Sequence, residues 1–138
     1  MNKRTLIGGI VGGVAFFFLG WLVYGILLLD FYNANGNQSI NRPMEEMVWW
    51  ALIASNLLSG FLVAIVFDWT NTIDVAAGIK KGAILGFLMS ASFDLSMFSM
   101  TTWFIGKRLL VVDIGISTVF VAIGAGLIAW IMAKNSSS

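Results

Sequence analysis

The chain has 138 residues, of which 59% are hydrophobic and 11% charged, whereas soluble domains carry about 25% charged residues. Its net charge of +1 argues for neither a nucleic-acid nor an acidic partner. Cysteine and histidine are both absent, which removes disulfides, thiol nucleophiles, Cys/His zinc sites, haem held by histidine and the commonest general base.

What composition leaves is an all-α integral membrane protein of the cell membrane: an antiparallel four-helix transmembrane bundle, forming a single domain over 1–138. Each predicted span reaches the ~20 residues needed to cross a hydrocarbon core. The first covers 5–29. Lys3 and Arg4 precede it as they would in a secretory signal, but the apolar stretch exceeds the about 7–15 residues of a signal core, and no small-residue cleavage site follows. It is therefore read as retained. Gly8 and Gly12, like Gly9 and Gly13, stand at the four-residue spacing that lets membrane helices approach closely. Trp21 and Tyr24 read as lateral packing rather than a ligand box.

A polar connection, Asp30–Glu46, holds the only proline, Pro43, and leads to a second span over 47–67. Asn56 lies in its middle, flanked by Ser55 and Ser59. The next connection ends in Lys80 and Lys81, which read as anchors near anionic head groups. The third span covers 82–105, where Gly78, Gly82, Gly86 and Ser90 step by four residues down to Asp94. Gly106-Lys107-Arg108 reads as a tight turn into the fourth span, 109–133, which carries Asp113 and a further small pair, Ala122 and Gly126. No proline interrupts any span, so nothing signals the broken helices of many larger transporters. The seven methionines read as core filler, not a metal path.

Loop charge favours cytoplasmic N- and C-termini: Lys3, Arg4, Lys80, Lys81 and Lys134 inside, against Arg42, Lys107 and Arg108 outside. Tyr32, Trp49, Trp50 and Trp103 fit the far interface, Trp69 and Trp130 the near one. The narrow margin leaves insertion both ways up open.

A carboxylate at the centre of a span costs about 2.5–3.5 kcal/mol. On the predicted boundaries Asp94 lies about 18 Å from either end of its span, at mid-depth, with Asn56 level with it as a candidate partner and Ser90 one turn away. Asp94 then reads either as a protonated acid acting as interhelical glue or as a proton- or cation-carrying site. Asp113 enters its span only about 6 Å deep, within reach of the interface or of Lys107 and Arg108. A dyad of the two aspartates is disfavoured, because straight helices separate their depths by about 11–12 Å.

Phe18-Leu-Gly-Trp-Leu-Val-Tyr24, Gly82-Ala-Ile-Leu-Gly-Phe-Leu88, Trp103-Phe-Ile-Gly-Lys-Arg-Leu109 and Val112-Asp-Ile-Gly115 together resemble the DUF1761 family of small four-span bacterial membrane proteins. The resemblance covers most of the chain. It implies four membrane helices in a bacterial inner membrane, names no activity, and makes Asp113 the acid most in keeping with the family. Asp94 has no place in that pattern.

The expected function is a non-enzymatic bundle that packs in the bilayer with itself or a membrane-protein partner, without cofactor or metal. The alternative is a small proton- or cation-coupled secondary transporter using Asp94. An intramembrane enzyme is disfavoured because no nucleophile–base pair stands at workable spacing.

Overall fold

A computed structural model describes residues 2–37, 39 and 44–136. Within them the chain is helical: α1 (Lys3–Leu22) runs on through a π-turn (Val23–Leu27), α2 (Leu29–Asn35) is short, a 3₁₀ turn spans Met44–Glu46, and α3 (Trp49–Trp69), α4 (Val75–Met100) and α5 (Lys107–Lys134) are long. No strand forms among these residues. Four helices are long and apolar enough to cross a membrane, α1 counted with its π-turn. Arg42 and Pro43, placed above in the first connection, lie outside the described residues.

Local chemistry sets the helix ends. The Asn2 side chain accepts from the Thr5 amide at 3.0 Å and starts α1. Asp74 does the same for α4, accepting from Ala77 N at 3.0 Å, so the helix begins seven residues before the predicted Gly82 and takes in Lys80 and Lys81. At its other end α4 stops at Met100, not Ile105. The turn is therefore Thr101–Gly106, and Lys107 and Arg108 open α5 instead of forming the turn. Trp103-Phe104-Ile105 is as greasy as a helix, but its backbone is engaged elsewhere. Gly36 and Phe104 form an isolated bridge, and Asn37 N donates to Trp103 O at 2.8 Å.

Close packing follows the glycines. A Cβ at Gly8 would lie 2.8 Å from Met132 Cγ, and Gly12 abuts the Ile128 side chain, so this pair receives α5. Gly13 sits against the Leu57 backbone of α3, and Gly60 against the backbones of Gly9 and Gly13. A Cβ at Gly126 would lie 2.8 Å from Ile79 Cγ1. The small-residue stripes are thus occupied within the chain. α1 carries α3 on one side and α5 on the other, α4 lies along α5, and Phe16, Val63, Phe67, Ile128 and Met132 fill the core. Outward faces stay apolar: α4 alone exposes Ile84, Phe87, Leu88, Phe93 and Leu95.

One end is tied by polar groups. Arg4 Nη2 pairs with Asp68 at 2.8 Å, Nε donates to the same carboxylate at 2.9 Å, and Nη1 reaches Asn71 and Ser136. Asn71 takes a positive φ of 50° where the chain leaves α3, a conformation asparagine tolerates.

Candidate functional site

The site grows out of the α4–α5 seam. Gly78 faces Ala129, Gly82 faces Ala125 and Gly86 faces Val121, so residue numbers fall along α5 as they rise along α4. Four-residue steps keep a helix on one face. Two more of them bring Ser90 level with Ser117 and Asp94 level with Asp113. The Asp94 and Asp113 side chains indeed lie within hydrogen-bonding reach of each other. Between two carboxyl groups such a contact needs a proton or another cation, since ionised carboxylates only accept.

This meeting overturns the depth argument made from the sequence. Asp94 stands six residues before the end of α4 at Met100, and Asp113 six residues after the start of α5 at Lys107. Both are therefore about 9 Å from the turn, in helices about 39 and about 42 Å long, so the offset of about 11–12 Å expected between them is absent. The error came from counting Thr101–Ile105 as helix and from starting α5 two residues late.

Asp94 is 5% exposed, and its Oδ2 has no hydrogen-bond partner among the described residues. Asp113 is better supplied: the Tyr32 phenol donates to its Oδ1 in a short bond. Lys107 and Arg108, expected beside Asp113, are exposed instead, and Arg108 lies over the Phe31 ring, 6.0 Å from its centroid.

Two tyrosines close the site. Tyr32 arrives on α2, which the Gly36–Phe104 bridge holds against the α4–α5 turn, with Phe31, Tyr32 and Trp103 packed on buried Phe104, Leu109 and Leu110. Burial pushes the Tyr32 phenol above its ordinary value, and the bond to Asp113 and that carboxylate's charge push it further. Tyr24 lies in the π-turn, where Leu28 N bonds Val23 O at 2.9 Å, five residues back. Such insertions re-aim side chains and recur at functional sites. Here the Tyr24 ring packs edge-on to Tyr32 with centroids 5.3 Å apart, and its hydroxyl stands 3.3 Å from Ser117 Oγ. Trp21, one turn earlier, is exposed.

Asn56 does not join this group. Its amide donates to Leu52 O at 2.9 Å, as Ser59 donates to Ser55 O at 3.0 Å. The reason is lateral: α4 turns its polar stripe to α5, while α3 packs on α1. Asn56 and Ser59 line a separate small cavity of about 90 Å³ with Leu85 and Met89. Ser90 bonds back to Phe87 O at 3.4 Å. Among the described residues, no three His, Cys, Asp or Glu side chains gather as metal ligands.

From sequence Tyr24 reads as lateral packing and Tyr32 as an interfacial aromatic, and nothing local ties either to the acids. The pairing of the acids had a signal: the Gly78–Gly82–Gly86–Ser90–Asp94 stripe has a small-residue counterpart in α5 that ends on Asp113. Compared with known protein families, curated proteins and solved structures, the chain matches none.

Proposed function

We propose that the chain is a multi-pass membrane protein, an antiparallel four-helix transmembrane bundle, that carries protons or a monovalent cation by way of the Asp94–Asp113 pair. The observation that carries this reading is the buried, unpartnered Oδ2 of Asp94 beside a second carboxyl group. Two ionised carboxylates 4 Å apart repel by about 4 kcal/mol at an effective dielectric of 20. The pair is therefore poised to hold one added positive charge, with the Tyr32 hydroxyl fixing one side of it. In a membrane helix an acid so placed is by default a working group.

Access is unequal. The turn end is about 9 Å away, whereas α4 continues about 28 Å past Asp94 to Val75, along the glycine-packed seam. Transport requires that seam to loosen around the pair. Orientation follows the lysine and arginine bias, with both termini cytoplasmic. No catalytic role is proposed.

The test is proton uptake into proteoliposomes under an imposed membrane potential, for the wild-type chain, Asp94→Asn and Asp113→Asn. Flux in the wild type that is lost in both variants is expected. Unchanged flux in Asp94→Asn overturns the proposal. Absence of flux in a folded wild-type protein favours the second reading, a non-enzymatic bundle that packs with itself or a membrane partner and uses its polar groups to set helix register. The close, register-specific fit of α4 on α5 is the observation on that side.

A further inference from the structure

A groove of about 440 Å³ runs between α5 and the segment formed by the end of α1 and its π-turn. Leu19, Val23 and Leu28 form one wall, and Val112, Gly115 and Phe120 the other. Two features set it apart from the ordinary ridges of a membrane helix. The π-turn sets the Val23 and Leu28 wall. Opposite it, no atom lies within 4 Å of where a Gly115 Cβ would be, whereas Gly124 and Gly126 of the same helix are tightly packed.

The rim is cationic. Arg108 stands one turn before Val112 and two before Gly115, on the face of α5 that lines the groove. Lys107 adjoins it, both are exposed, and neither has a carboxylate partner among the described residues. An apolar trough beneath two exposed cations without carboxylate partners, at the end of a membrane helix, complements a phosphate head group with its chain below.

We propose that this groove holds one acyl chain of an anionic phospholipid, its phosphate on Lys107 and Arg108. A second copy of the chain is the poorer occupant. In a two-fold pair related about the membrane normal, both copies would bring Lys107 and Arg108 to the same depth, where like charges repel. The inference rests on the membrane reading, but not on ion carriage.

The test is native mass spectrometry of the purified chain released from nanodiscs of symmetric composition, containing phosphatidylglycerol or phosphatidylcholine with the same acyl chains. One phosphatidylglycerol retained in preference to phosphatidylcholine is expected. Arg108→Gln should reduce that preference about fivefold, the worth of one cation at a membrane surface. Gly115→Leu fills open space, so its thermal melt should match the wild type. It should weaken retention of both lipids about fourfold or more, since each excluded methylene is worth that much. Equal retention of the two lipids, or retention unchanged in both variants, overturns the inference. So does a dimer that Gly115→Leu dissociates, which would make the groove a protein interface. A chain that fails to enter nanodiscs overturns the membrane reading along with it, whereas insertion without lipid preference overturns this inference alone.

Discussion

Tyr32 donates its phenol to Asp113 across 81 positions of sequence, and so fastens α2 to the first turns of α5. The Gly36–Phe104 bridge and the Asn37–Trp103 bond hold the same two segments together nearby. Tyr32→Phe removes the donor and leaves the ring packing in place. A hydrogen bond to a charged group is worth about 1–3 kcal/mol, and the variant should lose stability in that range in detergent unfolding. An unchanged unfolding midpoint would show that Asp113 finds a replacement donor.

The same phenol carries a pH dependence of definite sign. Burial, followed by the Asp113 bond, raises it above its ordinary value of 10.0, so the folded state keeps a proton that the unfolded state gives up. The associated stability is full below about pH 10 and is lost as pH rises above it through the folded value. Absorbance at 295 nm should show a tyrosinate component that appears only at pH well above 10, or on unfolding. Complete titration of both tyrosines near pH 10 in the folded protein would contradict this.

Two glycines make opposite predictions for the same substitution. A Cβ at Gly60 would collide with the Gly13 amide nitrogen, come 2.5 Å from Gly9 O and 2.8 Å from Gly13 Cα, all backbone atoms that cannot rotate away. Gly60→Ala should force α1 and α3 apart, at a cost of about 1–3 kcal/mol or more. Gly115→Ala meets nothing within 4 Å and should be neutral or stabilising by up to about 1 kcal/mol, because alanine loses less backbone freedom in a helix. Paired melts in one detergent decide it, and equal shifts would refute the packing.

Hydropathy made the four long helices legible, and four-residue glycine spacing made their seams legible. It failed where chain direction depends on distant partners. Thr101–Ile105 leaves the helix because Asn35, Gly36 and Asn37 engage its backbone, and no local residue says so. That misplaced end moved Asp94 inward by five residues and hid its meeting with Asp113. Lys80 and Lys81 looked like a loop because their charge outweighed the Asp74 cap. Tyr24 faces the site through a π-turn, for which the residues Val23–Leu27 carry no warning.

At the opposite end, Arg4 joins α1 to the end of α3 and to Ser136. Asp68→Asn keeps an acceptor but loses the ion pair, while Arg4→Ala loses every one of these contacts. Hydrogen exchange of the first turn of α1 should quicken in both, and more in Arg4→Ala. The difference between wild type and Asp68→Asn should shrink as salt is raised, because the pair is partly exposed. A salt-independent difference would assign the effect to geometry and not to charge.

Asp94→Asn separates the proposed carrier role of the acid pair from a structural one. The amide places an N–H donor beside Asp113 and removes one negative charge from a facing pair, so stability in detergent should equal or exceed that of the wild type. Asp113→Leu does the reverse. It leaves the Tyr32 hydroxyl and the Asp94 carboxyl buried without each other's bridge, and should lose about 1–3 kcal/mol for the stranded polar groups. In the double variant Asp113→Leu with Tyr32→Phe, part of that loss should return, since the orphaned donor is gone as well. If Asp94→Asn instead unfolds the protein, the carboxyl proton is holding α4 to α5. The pair would then be a structural clasp, with the register of the glycine seam depending on it.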